Sequence, residues 1–287
     1  MIAVYKKEMR TYFTQMMGYI FLAFLLLLVG IWFAVMNVFP LNANFQHVLS
    51  NVTIFFFILM PTLTMRLFSE EARQKTDQLL FTSPLSVMGI VLGKFLAAFT
   101  LFVLGVGVTI LLPLLIRNYS VLPTSQIVGS YIGFILLGAS CIAIGVFISV
   151  LTENQIIAAV GTMGAIFVMF LIDAIAASMP TTTFASLMFV AFIIVAVAVI
   201  WYNSTKNVIA SIIVGVVGIG AAGGLYLVNN LIYDGIIVRA LLWFSIFARY
   251  NNFSRGILNL NDVVYYISFS ALFIYLTVNI IEKRRWR

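Results

Sequence analysis

Apolar residues fall along this chain in long blocks rather than in alternation. Phe21 to Val29 contains no polar side chain at all. A spanning helix needs about 20 mostly apolar residues. Eight stretches meet or approach that length: 18–38, 51–68, 89–116, 125–151, 155–177, 183–201, 207–228 and 263–281. A transmembrane barrel would instead alternate apolar and polar positions in segments of about 10 residues. The pattern therefore predicts an all-α integral membrane protein, a bundle of about eight transmembrane helices. Pro61 in the second stretch and Pro113 late in the third each remove a backbone donor and are expected to kink their helices. The first stretch is too long for a cleavable signal peptide, and no small-residue site follows Trp32 and Phe33.

Three segments are neither spans nor simple turns. In 1–16, Ile2, Tyr5, Met9, Tyr12, Phe13 and Met16 share one helical stripe, with Lys6, Lys7 and Arg10 on another face. This predicts an amphipathic helix lying in the membrane interface. Segment 66–84 is the densest charge cluster in the chain and ends at Pro84. It predicts a short polar helix, with Glu71 and Lys75 paired at i,i+4. Segment 229–262 carries an apolar run broken by Asp234 and Arg239, then Trp243, Arg249 and Arg255. Spanning with both charges would be costly, so 231–256 is expected to form a short helical cap at the outer leaflet.

Composition agrees with the pattern. The 287 residues are 63% hydrophobic and 9% charged, against about 45–50% and 25% in soluble domains. Mean hydropathy is +1.13. The single cysteine, Cys141, makes no intrachain disulfide. The net charge of +7 rests on 16 Lys and Arg. With the N-terminus inside, all but Arg117, Arg239, Arg249 and Arg255 fall on the inner side. The positive-inside rule then selects cytoplasmic termini. The charge is an orientation signal, and no basic face interleaved with aromatics suggests nucleic acid.

Candidate chemistry is sparse. No Gly-x-x-x-x-Gly-Lys-Ser/Thr loop is present, and one histidine, His47, makes neither a metal cluster nor a catalytic triad. Glu153 falls in an inner turn. Asp173 sits near the outer end of the fifth span, where an intramembrane acid is a candidate transport residue. Gly129/Gly133 and Gly220/Gly224 form small-x-x-x-small patches that permit close helix contact.

Four stretches carry a family resemblance. The first is Tyr5-Lys6-Lys7-Glu8-Met9-Arg10-Thr11-Tyr12-Phe13 before Gly18-Tyr19-Ile20-Phe21. The second and most specific runs from Pro61-Thr62-Leu63-Thr64-Met65-Arg66 through Glu70-Glu71-Ala72-Arg73-Gln74-Lys75-Thr76 and Leu79-Leu80-Phe81-Thr82-Ser83-Pro84-Leu85-Ser86 to Val91-Leu92-Gly93-Lys94. The third is Ser149-Val150-Leu151-Thr152-Glu153-Asn154-Gln155. The last is Phe253-Ser254-Arg255-Gly256-Ile257-Leu258 with Asp262-Val263-Val264-Tyr265-Tyr266. Together they resemble the membrane subunits of ATP-binding-cassette (ABC) exporters of the second type, in the gliding-motility and copper-enzyme-maturation permease branch.

The resemblance implies one permease domain over 1–287, with a six-span core and an added pair at 183–228. It implies a bacterial or archaeal inner-membrane protein that works as a dimer with a second permease subunit, the same or homologous, and a cytoplasmic ABC ATPase dimer. ATP and Mg would be bound by that partner, with no cofactor on this chain. The 66–84 helix would dock on the ATPase, with Glu70, Glu71, Arg73, Lys75 and Thr76 as polar contacts and Leu79 and Leu80 as an apolar anchor. Its charges of both signs suit a protein partner better than anionic lipid. From the residues themselves, Trp243, Arg249 and Arg255 in the outer segment are the expected outer gate, the alternative being an inert interfacial helix that only anchors. Two alternatives stay open. One is a membrane anchor of an ABC-type mechanical or assembly complex that moves no substrate. The other is an ion-coupled transporter, which the scarcity of intramembrane charge disfavours.

Overall fold

The structure, a computed structural model, describes residues 1–42, 44–76, 85–116, 123–228 and 230–285. The described residues divide into two compact units. Met1–Phe170 with Ile246–Arg287 forms the larger, and Leu171–Ser245 the smaller.

In the larger unit, α1 (Ile2–Thr14) precedes α2 (Met17–Phe33), which continues as a π-helical turn, Ala34–Val38. Then come α3 (Gln46–Thr53), α4 (Phe56–Thr64), the short α5 (Ser69–Arg73), α6 (Val87–Thr109), α7 (Leu111–Ile116), α8 (Thr124–Leu151) and the first part of α9 (Gln155–Ser178). The chain returns as α13 (Ile246–Ser254) and α14 (Leu260–Arg285). Local chemistry sets several boundaries. Ser86 caps α6 by accepting from the Gly89 N–H at 3.2 Å. Between α8 and α9, Thr152 turns extended, its hydroxyl accepts from the Asn154 N–H, and Asn154 Oδ1 accepts from the Ile156 N–H at 2.8 Å. Hydroxyl and amide side chains at those positions compete with the ladder of the helix that is ending and cap the next one.

α8 is the centre of this unit. Its most apolar stretch is 67% buried, against 6–33% for the six other long apolar helices. Small residues let neighbours approach its axis, as expected where apolar lipid removes most of the hydrophobic drive between helices. A Cβ on Gly145 would lie 2.1 Å from the Thr64 hydroxyl, and one on Gly133 2.5 Å from the Phe253 Cβ. The Gly129/Gly133 patch is thus occupied within the chain by α13. Ser140 and Ser270 hydroxyls meet at 3.2 Å between α8 and α14.

The second apolar stretch is not one straight helix. α3 and α4 meet at 66°. Both ends of the pair nevertheless run along α8. The Phe45 ring stacks on Tyr131 at 5.8 Å, while the Phe68 and Ser69 N–H groups donate to Ser149 Oγ. Tyr131 to Ser149 is about 27 Å of helix at 1.5 Å per residue, close to the ~30 Å hydrocarbon core. The bent pair therefore crosses, adding an eighth span to the seven long apolar helices among the described residues. The bend falls at Ile54–Phe55, not at Pro61, which lies inside α4. There Thr53 Oγ1 donates to the Ser50 carbonyl at 2.7 Å and the Phe55 N–H turns to Val52, so the i→i−4 ladder lapses before proline is reached. α6 ends at Thr109, four residues before Pro113, the residue whose carbonyl a proline there cannot serve, and α7 resumes at Leu111 within the same apolar stretch.

In the smaller unit, α10 (Thr183–Thr205) and α11 (Val208–Val228) pair antiparallel through a left-handed turn at Lys206. A 3₁₀ turn, Asn230–Tyr233, and α12 (Ile236–Phe244) come next. The Tyr233 hydroxyl donates to the Ala222 carbonyl at 2.8 Å. The apolar run breaks at Asp234–Gly235, where Gly235 adopts φ +63°. Asp234 and Arg239 are both exposed and make no side-chain ion pair with each other; the Arg239 guanidinium donates to the Asp234 carbonyl. Nothing lies within 4 Å of a Cβ built on Gly220 or Gly224.

Candidate functional site

The charged segment, α1 and the start of α6 converge on one buried group. Lys94 lies in the second turn of α6 and is the one charged residue between Val87 and Thr109. Its side chain is 1% exposed. Beside it, a Cβ on Gly93 would sit 3.0 Å from the Met1 carbonyl and the Val4 side chain. This close approach lays α1 across α6. The face of α1 that meets the bundle is Val4, Glu8 and Tyr12, on the flank of the expected apolar stripe, while Ile2 and Met16 are exposed.

Lys94 Nζ donates to Glu8 Oε1 at 2.9 Å, to the Leu67 carbonyl, and pairs with Glu71 Oε2 at 2.9 Å. The same nitrogen stands 4.9 Å from the centre of the Phe68 ring. An ammonium has three donors, and here they reach α1, α5 and the connection from α4. Lys7 Nζ completes Glu71 by donating to Oε1 at 2.7 Å. Arg66 holds Glu70 with two bonds of 2.7 and 2.9 Å. Three cations, Lys7, Arg66 and Lys94, thus face three carboxylates, Glu8, Glu70 and Glu71. Tyr12 adds a 2.9 Å bond to the Leu63 carbonyl, which is free because the Leu67 N–H turns to Thr64. Ser149 accepts the first two N–H groups of the α5 turn at 3.0 and 3.3 Å, donors that a helix start leaves unpaired. A cavity of about 330 Å³ opens beside the cluster, lined by Lys7, Glu8, Tyr12, Arg66, Glu70 and Glu71 among others. Each of these six charges has a partner within the cluster.

The expected Glu71–Lys75 pair does not form. α5 ends at Arg73, and Lys75 has already left helical geometry at φ +56°. Glu71 turns inward to the two lysines instead. Burial works to raise its carboxyl, but the Lys94 charge and the hydrogen bonds from Lys7 and Lys94 outweigh it, and the group lies below the usual carboxylate range. Lys7 shifts the opposite way: burial opposes, and the bond to Glu71 prevails and raises it. A lowered carboxylate stabilises the fold above its ordinary pKa and loses that contribution as pH falls through the folded value. A raised lysine contributes below its ordinary value and loses it as pH rises through the folded one. The contact is therefore intact across neutral pH and fails first on the acid side. Thermal unfolding followed from pH 7 downward should show an acid loss of stability that is blunted in Glu71→Gln. An unchanged acid limb would contradict it.

Of the residues expected to meet an ATPase, Arg73 and Lys75 are exposed, as is Gln74 between them. Glu70 and Thr76 are half-buried, and Glu71 spends both oxygens internally. Leu79 and Leu80 lie outside the described residues. The local charge pattern does not single out Glu8 or relate it to Lys94. The one signal it holds is Lys94 itself, a lone cation in an apolar run.

The outer-gate candidates are distributed. Trp243 belongs to the smaller unit and is 61% exposed. Arg255 is exposed in the turn after α13. Arg249 of α13 is tied to the start of α14: its guanidinium bonds Asp262 Oδ1 at 2.9 Å and lies 3.8 Å over the Tyr265 ring, while Asn252 takes Asp262 Oδ2 at 2.8 Å. His47 and Glu153 are exposed, Cys141 is buried, and Asp173 sets its carboxylate against Ser245.

Compared with known families, residues 37–186 match the model of the ABC-2 family transporter proteins, more than half of the chain. The match includes α5 and Lys94. No curated protein and no solved structure matches significantly.

Proposed function

The chain belongs to the ABC-2 transporter family, a multi-pass permease of an ABC transporter, and from that membership we propose that it serves an exporter driven by a separate ATPase. The end of the larger unit that carries α1 and α5 is cytoplasmic in this reading. The distribution of Lys and Arg supports that orientation. The ATPase binds at α5 and the segment after it. The observation that carries the assignment is the division of labour on α5: Glu71 faces inward to hold the element on α1 and α6, Glu70 pairs locally with Arg66, and Arg73, Gln74 and Lys75 are exposed. A short charged helix anchored so firmly on one side and bare on the other fits a protein partner. Two permease chains and two ATPase subunits make the working unit, in the inner membrane of a bacterium or archaeon, and the gliding-motility and copper-maturation branch is its nearest setting.

The test is co-purification with an ATPase bearing a phosphate-binding loop, followed by ATP hydrolysis by the complex. Reversing Arg73 and Lys75 together to Glu should weaken association at least about tenfold, about 1.4 kcal/mol. Membrane insertion should be unchanged, because no span is touched. Wild-type association in the reversed variant would remove α5 as the docking element.

A further inference from the structure

We propose that Lys94 is the positioning residue that makes α1 and α6 move with α5, so that a displacement imposed on α5 is carried along α6 toward the far side of the membrane. The inference rests on the reading of α5 as the ATPase-facing element and goes on to say where the motion travels. Lys94 joins α6 to Glu8 of α1, to Glu71 of α5 and to the Leu67 carbonyl ahead of α5. Its side chain is 1% exposed, and those of Glu8 and Glu71 are 10% and 13% exposed. Opening a pair at such burial leaves uncompensated charge away from water, which is far costlier than breaking a surface pair. The three elements therefore shift together more readily than they separate.

The route beyond Lys94 is α6 itself. From Lys94 to Thr109 the helix is unbroken over ~22 Å. At Thr109 its hydroxyl meets the Tyr131 hydroxyl of α8 at 3.2 Å, and the break before α7 comes at once. Midway, the Phe102 ring of α6 fills the notch left by Gly138 of α8. A tilt of α6 at its Lys94 end is thus felt against α8 at two further points. α5 is also tied to α1 by the Lys7–Glu71 pair, whose lysine is largely exposed, and to α8 by the Ser149 hydroxyl on the Phe68 and Ser69 N–H groups, a neutral contact that holds only the beginning of the helix.

Lys94→Met alone would strand two buried carboxylates and threaten folding. The decisive variant is therefore Lys94→Met with Glu8→Gln and Glu71→Gln, which removes the charges while keeping side-chain size. Hydrogen exchange would be followed by mass spectrometry on the permease–ATPase complex, with and without MgATP and orthovanadate. In the wild type, trapping should change exchange in 69–76, 2–14 and 87–100 together. In the triple variant, a trapping-dependent change at 69–76 should remain, which shows the ATPase still engaged, while the changes at 2–14 and 87–100 should be lost. The single variant Lys94→Arg, which retains a cation able to hold both carboxylates, should keep them. A purely structural lysine would alter exchange without nucleotide and leave the trapping response in place. Persistence of that response at 2–14 and 87–100 in the triple variant overturns the proposal. If the wild-type chain forms no ATPase complex, the underlying reading falls instead, and the inference with it.

Discussion

Asp262→Ala is expected to cost about 3–5 kcal/mol, the penalty for removing one partner of a buried ion pair. Asp262 is 4% exposed and uses both oxygens, one on Arg249 and one on Asn252. Without it the guanidinium keeps its contact with Tyr265, while its Nε has no hydrogen-bond partner. α13 would lose its charged tie to the start of α14, although the Tyr266 hydroxyl would still donate to the Ile246 carbonyl and Phe253 would still sit in the Gly129/Gly133 notch of α8. Thermal stability of the purified protein checks this, with Asp262→Asn intermediate because it keeps an acceptor. A wild-type melting temperature in Asp262→Ala would show the pair to be idle. The same geometry bears on the outer gate. Arg249→Ala should act through the anchoring of α13, so Trp243→Ala and Arg255→Ala are the cleaner probes of gating.

The other large effect is expected at a glycine. In Gly138→Val the new Cβ would lie 2.2 Å from the Phe102 ring. That ring cannot easily withdraw. It stacks on Phe134 at 5.7 Å and meets Phe56 edge-on at 5.9 Å, and Phe56 meets Phe134 at 4.8 Å. Overpacking costs about 1–3 kcal/mol and sometimes more. Here α8 is pressed from several sides, so the upper end or beyond is expected, seen as loss of monodisperse protein on size exclusion. Gly220→Val is the control, because its Cβ would meet nothing within 4 Å, and its yield should match wild type. Equal yields for both would mean that the α6–α8 contact is loose.

The amino-acid pattern makes about half of the candidate site legible. Segment 66–84 stands out as a charged interruption between apolar blocks, and the stripe at 1–16 indicates a helix there. The partners of those charges are not readable in the same way. Glu71 is expected to pair with Lys75 because four residues apart on a helix means adjacent. That rule needs the helix to continue, and α5 stops at Arg73. Glu8 lies 86 positions from Lys94, and no local spacing relates the two.

Helical class, the number of crossings and the preferred orientation come from hydropathy summed over about 20 residues and from where Lys and Arg fall between those runs. Both are local properties of the chain, because lipid demands that each crossing satisfy its own backbone. The positions of bends and the partners of buried charges are different in kind. Pro61 looks like a hinge in one dimension, yet α4 runs through it and the bend lies at Ile54–Phe55, where Thr53 draws the Ser50 carbonyl. Lys94 reads along the chain as one more inside charge. It becomes the junction of three elements because Gly93 lets α1 lie against α6 and the α5 turn is pinned to α8 by Ser149. Those approaches depend on shape between distant segments, and a buried charge is decided by whichever opposite charge such packing brings within reach.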